Sequence, residues 1–71
     1  MDKLIIKEKL DYYLANSIHV HLAKLNNSFI NGKLLKKVSE DIYIILDDLT
    51  GERIDVFVNE IFDITNWVET K

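Results

Sequence analysis

The sequence has no cysteine and no proline, and it has only two glycines in 71 residues. Without cysteine, disulfide bonds, thiolate metal sites and thiol nucleophiles are excluded. Without proline, no strand loses an N–H donor that edge pairing would need. Long apolar runs are also absent, whereas a membrane-spanning helix needs about 20 apolar residues. Residues 7–9 are charged and interrupt the only N-terminal apolar stretch, so we predict no signal peptide and expect a cytoplasmic protein.

The length and composition predict one small domain over residues 1–71. Apolar residues make up 48% of the chain and charged residues 30%, which is typical of a folded protein. A chain this short buries only about 60% of the surface that its unfolded form exposes, so it needs a disulfide, a metal or a partner. Because cysteine is absent, we expect self-association. The net charge of -3 argues against coating of duplex DNA, which depends on clustered Lys and Arg.

Residues 2–15 are predicted to form a helix. Asp2 can cap its start by accepting hydrogen bonds from the free N–H groups of the first turn. Four apolar residues fall at i, i+4, i+7 and i+8 and make one stripe for the core: Ile6, Leu10, Tyr13 and Leu14.

After Ser17 the apolar period changes to two, which predicts strands. We expect five, at residues 18–23, 28–38, 42–46, 53–58 and 61–64. Short strands with closely spaced turns predict a small barrel over residues 18–64, filled by its own side chains and covered at one end by the helix. Residues 65–71, which include Trp67, form a tail with no clear period.

The second predicted strand allows two structures. Asn31-Gly32 favours a two-residue hairpin turn, which would divide the strand. Gly32 also suits a bend in one long, curved strand, since a missing side chain lets the sheet fold over. We predict the bend. Asn26-Asn27 supply the preceding turn, because Asn tolerates positive φ.

The order of residues in this region is similar to a known family. Gly32 is followed by apolar Leu34, by an acidic turn at residues 39–41 and by an apolar run at residues 42–48 that ends in two aspartates. This order resembles the first signature of the Sm/LSm/Hfq family, and the likeness extends from the helix to Ile64. The resemblance implies a mainly β fold, in which an N-terminal helix precedes a five-stranded, strongly bent antiparallel barrel.

The resemblance also places candidate residues for base recognition. Where the family usually has a base-holding Asn, this sequence has Tyr43, and the family's stacking position two residues earlier falls at Asp41. The family's Arg-Gly pair after the fourth strand is absent, and Asn59-Glu60 stand near that corner. Asn59 could bind a base edge from there, although a plain turn residue is the alternative.

Tyr43 is the strongest of these candidates. On the third predicted strand, Tyr43 and Ile45 face away from Ile42, Ile44 and Leu46. In a ring the family's equivalent position lies near the central pore, where a phenol could stack on a base. The alternative is a tyrosine that packs against a cross-strand neighbour.

The remaining candidates are cations. Lys36, Lys37 and Arg53 could contact phosphates, whereas a solvated face is the usual location of such residues. The candidate nucleic-acid-binding residues are therefore Tyr43, Asp41, Asn59, Arg53, Lys36 and Lys37.

Ring assembly is a further implication of the resemblance. In the family, the fourth strand of one subunit pairs with the fifth strand of the next, and the contact closes when the rotation per subunit divides the circle. Five to seven subunits are expected. Phe57 and Phe62 could pack across this joint or fill the core of the monomer. The candidate interface residues are Arg53, Ile54, Asp55, Val56, Phe57, Val58, Ile61, Phe62 and Ile64.

Metal and enzyme chemistry have little support in the sequence. His19 and His21 lie two apart on one strand face, but two ligands without a third make a weak site, so no metal or other cofactor is predicted. Asp47-Asp48 and Glu40-Asp41 could bind a hard cation or simply keep their loops solvated. The Gly-rich phosphate loop and the Gly-x-Ser-x-Gly elbow are absent from the sequence, and no enzyme activity is predicted.

Two functions are therefore expected. The first is a homo-oligomeric Sm-like ring that binds RNA or single-stranded DNA. The alternative is a protein-interaction or structural adaptor built on the same barrel, which the acidic balance and the missing Arg-Gly pair favour.

Overall fold

A computed structural model of the chain describes residues 2–67. It has one helix, α1 (Lys3–Ala15), and five strands: β1 (His19–Lys24), β2 (Phe29–Ser39), β3 (Ile42–Asp47), β4 (Arg53–Phe57) and β5 (Ile61–Asn66). A short 3-10 helix, Val58–Glu60, joins β4 to β5. The strands form one antiparallel sheet in the order β4-β3-β2-β1-β5. The predicted helix and five antiparallel strands are confirmed.

The sheet is not closed. Within residues 2–67, β4 and β5 lie at opposite ends of the strand order and do not pair with each other. The single chain therefore has two free edges, whereas the sequence pattern predicts a closed barrel.

Helix α1 begins and ends where the sequence predicts. The Asp2 carboxylate accepts a hydrogen bond from the Leu4 N–H at 3.0 Å, which satisfies a donor of the first turn. Ile6 and Leu10 are buried, and Tyr13 and Leu14 pack beside them. No helix in residues 2–67 is long and apolar enough to cross a membrane.

The core lies between α1 and one face of the sheet. Its buried side chains come from the helix, from every strand and from the 3-10 helix: Ile6, Leu10, Val20, Leu22, Leu34, Tyr43, Ile45, Val56, Val58, Ile61 and Ile64. All of them belong to one cluster, so four of the predicted interface residues, Val56, Val58, Ile61 and Ile64, have their side chains in the core of the single chain. Because one 13-residue helix cannot cover five strands, the strands must also pack against one another's inner faces.

Strand β2 is continuous through Asn31-Gly32, so the predicted bend is preferred over the hairpin. A Cβ atom at Gly32 would lie only 1.9 Å from the Leu46 carbonyl oxygen, so the two strands approach too closely for any side chain. The pairing of β2 with β3 shifts register at Leu35 and again at Val38, and such bulges increase the local twist. The predicted turn before β2 is confirmed too, with Asn27 at φ 70°.

Strand β3 directs the face with Tyr43 and Ile45 into the core, and not the face with Ile42, Ile44 and Leu46. Tyr43 and Ile45 are buried, whereas Leu46 on the other face is exposed and Ile44 is half-buried. The register explains this orientation, because Tyr43 pairs with buried Val56 and paired residues share a face.

The C-terminal part of the fold differs from prediction in its limits. Strand β5 runs to Asn66, so the predicted tail begins two residues too early, and residues 68–71 lie outside the described part.

Phe57 and Phe62 are 43% and 58% exposed. Of their two predicted locations, filling of the monomer core is therefore wrong.

Candidate nucleic-acid interface

The ring of Tyr43 is completely enclosed by the monomer. Its hydroxyl donates a hydrogen bond to Asp11 of α1, so the polar end of the side chain is satisfied inside the fold. Burial raises the pKa of the Tyr43 hydroxyl, and the neighbouring Asp11 carboxylate raises it further. No face of the Tyr43 ring is accessible in this conformation, so Tyr43 matches the alternative prediction of a tyrosine that packs against a cross-strand neighbour, here Val56.

Asp41 is held by α1 as well. Its carboxylate lies 3.2 Å from the Lys7 ammonium and 3.7 Å from that of Lys3. The nearby Lys7 ammonium lowers the pKa of Asp41. Asp41 therefore joins the β2–β3 turn to the first turns of the helix, and its carboxylate is already paired with two lysines.

Lys37 completes this polar cluster between α1 and the sheet. Its ammonium lies 3.7 Å from the Asp11 carboxylate, 3.9 Å from that of Glu40 and 5.6 Å from the centre of the Tyr43 ring. We call this group the helix clamp; its members are Lys3, Lys7, Asp11, Lys37, Glu40, Asp41 and Tyr43. The three cations face three carboxylates, so the clamp carries no net charge with which to attract a phosphate.

Lys36 and Arg53 come together on the opposite, outer face of the sheet. With Leu35 and Ile44 they line a groove of about 320 Å³. Neither cation forms an ion pair with another of residues 2–67. Both cations therefore remain available to a phosphate.

Lys33 belongs to the same face, although the sequence pattern alone did not single it out. Lys33 pairs with Leu46, and Leu46 pairs with Arg53, so the three side chains form one row across β2, β3 and β4. Lys36 pairs with Ile44 in the next row. We call Lys33, Lys36 and Arg53 the cationic face. The register of β2 against β3 was needed to find it, because two bulges break the simple alternation.

Asn59 is not part of this face. It lies in the 3-10 helix between β4 and β5 and lines a separate groove with Lys24 and Asn26. Its position in this tight corner matches the alternative prediction of a plain turn residue.

A cluster of rings that the sequence pattern did not reveal lies on the outer face of β1 and β2. The His21 ring is 5.2 Å from that of Phe29 and 5.5 Å from that of Trp67, measured between centroids. We call these three residues the aromatic platform. Phe29 and Ala23 are paired, and Ala23 shares a strand face with His21. Knowledge of the β1–β2 register would therefore have placed His21 beside Phe29.

The two histidines and the acidic pairs do not form a metal site in the described structure. His19 contacts Asp48, and His21 Nδ1 lies 2.6 Å from the Asn31 side-chain oxygen. Asp47 accepts hydrogen bonds from the Leu49 N–H and the Thr50 hydroxyl within its own loop. Among residues 2–67, no group of three or more His, Asp or Glu side chains could hold a metal ion.

Comparison of the sequence with models of known protein families and with curated proteins gave no match. The function is therefore inferred from the geometry of the chain itself.

Proposed function

We propose that this chain is a Sm-like module that assembles into a ring of five to seven copies and binds RNA or single-stranded DNA. The observation that carries the proposal is the strand order, which leaves β4 and β5 as the two free edges of one sheet. Unpaired N–H and C=O groups along such edges favour pairing with another chain. Pairing of β4 of one copy with β5 of the next would satisfy both edges and continue the sheet around a ring.

The side chains at these two edges support the same assembly. Phe57 on β4 and Phe62 on β5 are largely exposed in the single chain. Burial of apolar surface stabilises association by roughly 25 cal/mol for each Å² removed from water, and aromatic residues are enriched at interfaces. A chain of 71 residues without cysteine gains the most from such contacts.

Nucleic-acid binding is supported by the cationic face. The lysines of α1 at positions 3, 7 and 9 and Lys37 pair with carboxylates, whereas Lys33, Lys36 and Arg53 form no ion pair within residues 2–67. The protein has a net charge of -3, whereas this face has three cations and one carboxylate, that of Asp55, which shares the row of Lys36 and Ile44. Exposed Leu46 and half-buried Ile44 lie between the cations and provide an apolar surface for sugars or bases.

Molar mass and oligonucleotide affinity test the two halves of the proposal. Light scattering after size-exclusion chromatography should give five to seven times the 8.3 kDa of one subunit. Fluorescence anisotropy with short U-rich or A-rich oligonucleotides should show binding that weakens as salt rises from about 50 to about 200 mM, because bound phosphates release counterions.

The Lys36→Ala variant locates the binding surface. It should weaken binding and reduce the slope of log K against log salt by about 0.7 for each phosphate of a single strand that the variant no longer neutralises. Lys3→Ala is the control, since Lys3 is a half-exposed cation of α1 that pairs with Asp41 and does not belong to the cationic face. A ring that binds no oligonucleotide at low salt would refute the nucleic-acid function and leave the assembly standing.

The second candidate is an adaptor that binds another protein. It is favoured by a specific observation: Tyr43 and Asp41, at the family's two base-recognition positions, are both held in the helix clamp. In that case a defined protein should co-purify with the assembly, and Lys36→Ala should not weaken its retention.

A further inference from the structure

Two exposed aromatic rings border one groove on the outer surface of β1 and β2. Phe29 is 62% exposed and Trp67 is 41% exposed, and both line a groove of about 420 Å³ together with Asn31, Asp47, Asp48 and Leu49. This volume is within the range of small-molecule sites, about 300–1,000 Å³. What sets these two rings apart from the other exposed aromatic residues is that both line this groove.

The groove is built around the His21 ring. The His21 Nδ1 contacts the Asn31 side-chain oxygen, and the ring packs against those of Phe29 and Trp67. The backbone N–H of Trp67 donates to the His19 carbonyl at 2.7 Å and holds the main chain that follows β5 against β1. A flat ligand entering the groove would therefore meet rings that already pack on His21, which reduces the entropy cost of binding.

The polar lining of the groove suits a base better than a phosphate. Asp47 and Asp48 provide carboxylate oxygens, which accept hydrogen bonds from exocyclic amino groups, and Asn31 provides an amide. The same carboxylates repel a phosphate. Any nucleotide bound here would place its base in the groove and its phosphate outside.

The cationic face supplies the place for that phosphate. Phe29, Asn31 and Lys33 alternate along the outer face of β2, and Lys36 follows on the same face after the bulge. Aromatic rings beside a line of cations are the combination by which proteins bind single strands, through base stacking and phosphate contacts together.

We propose that the groove between Phe29 and Trp67 is a stacking site for one unpaired base, and that the strand continues from it along Lys33 and Lys36. This inference rests on the proposed function and names the base-stacking residues that Tyr43 cannot provide. The source of the base, RNA or single-stranded DNA, follows from parallel titrations with the two polymers.

Trp67 is the only tryptophan in the chain, so its fluorescence reports on the groove directly. With the 71-residue chain, titration with a short unlabelled A-rich oligonucleotide, whose bases carry exocyclic amino groups, should quench this fluorescence over the concentration range in which the labelled oligonucleotide shows increased anisotropy. An abasic strand of equal length retains the phosphates and should leave the fluorescence of Trp67 nearly unchanged.

Phe29→Ala should weaken oligonucleotide binding by about 5- to 100-fold, which is the typical effect of removing one stacking partner. Tyr12→Ala is the matched control, because Tyr12 is an equally exposed aromatic residue on α1, outside the groove, and its removal should leave affinity unchanged. If Phe29→Ala does not fold, oligonucleotide affinity can be measured with Phe29→Leu, which removes the ring but keeps an apolar side chain. The fluorescence titration of the unmodified protein needs no variant.

The alternative outcomes are distinguishable. Salt-sensitive binding with unchanged Trp67 fluorescence and a full-affinity Phe29→Ala variant would overturn the stacking site and leave the proposed function standing. Absence of oligonucleotide binding at low salt would overturn both. Quenching by an arginine-rich peptide but not by any oligonucleotide would also overturn the inference, since carboxylates and aromatic faces together can bind a guanidinium group.

Discussion

The hydroxyl of Tyr43 donates a hydrogen bond to the carboxylate of Asp11, and this contact joins β3 to α1 across 32 positions of sequence. Lys37 lies close to both partners. The pair gives a buried tyrosine the acceptor that it needs and orients the helix over the core. Tyr43 is therefore a structural residue in this conformation.

Tyr43→Phe tests this role. The ring still fills the core, while the hydrogen bond to Asp11 is removed, so the free energy of unfolding should fall by about 1 kcal/mol. Urea denaturation measures the change. Tyr12→Phe is the control, because Tyr12 is exposed and removal of its hydroxyl should have no effect. A Tyr43→Phe protein of normal stability but with weakened oligonucleotide binding would contradict the structural role.

Gly32→Ala tests the close approach of β2 and β3. The added Cβ would meet the Leu46 carbonyl oxygen at 1.9 Å, and backbone atoms cannot move aside as a side chain can. We expect a loss of stability of about 3 kcal/mol or more, which is at the upper end of overpacking effects. Gly51→Ala, with open space around it but a φ of 73°, should cost only about 1–2 kcal/mol. Equal thermal stabilities for the two variants would contradict the strand geometry.

Asp41 makes the helix clamp sensitive to acid. Its pKa is lowered below the ordinary 3.8 in the folded state, mainly by the adjacent Lys7 ammonium, so the unfolded chain binds a proton more readily. The stabilisation is therefore complete above about pH 3.8 and is lost as the pH falls through the lower folded-state pKa. Unfolding free energies measured from pH 6 to pH 2.5 should decline less in Asp41→Asn than in the unmodified protein.

Glu8→Gln provides the control for that comparison. Glu8 is exposed on the same helix and forms no ion pair within residues 2–67. Its variant should retain the pH dependence of the unmodified chain. Identical acid profiles for Asp41→Asn and Glu8→Gln would argue against the clamp.

The edge phenylalanines test assembly. Phe57→Glu and Phe62→Glu should each reduce the molar mass in solution towards that of one subunit, because a carboxylate would be desolvated at the joint. Leu4→Glu, which alters an exposed apolar residue of α1, should leave the mass unchanged. Circular dichroism should confirm that each variant is folded. An unchanged mass in both Phe variants would mean that copies do not meet at these edges.

The extent to which the sequence predicts this fold differs between elements for physical reasons. Helix α1 was predictable because its cap and its apolar stripe both follow from local spacing. Strand β4 was predictable because buried Val56 alternates with exposed Asp55 and Phe57. Strand β3 is apolar on both faces, so its orientation is decided by its register with β4 and could not be inferred from its own pattern.

The candidate site shows the same division. Lys36 and Arg53 were proposed as phosphate contacts from residue type alone, and the structure places them in one groove. Lys37 is one position further along and belongs to the helix clamp. The aromatic platform brings His21 next to Trp67, 46 positions away, through the pairing of β1 with β5. Contacts between residues this far apart in the sequence cannot be predicted from local periodicity.

The pairing of β1 with β5 also has a consequence for biosynthesis. Val20 leaves the ribosome 46 residues before its β5 partner Asn66, and Leu22 leaves it 42 residues before its partner Ile64. Ile61 and Ile64 complete the core, and Asp63 binds Lys9 of α1. A nascent chain exposed only to residue 60 therefore has a helix and four strands around an unfilled interior. We expect it to remain protease-sensitive on the ribosome and to become resistant only once residue 66 has emerged.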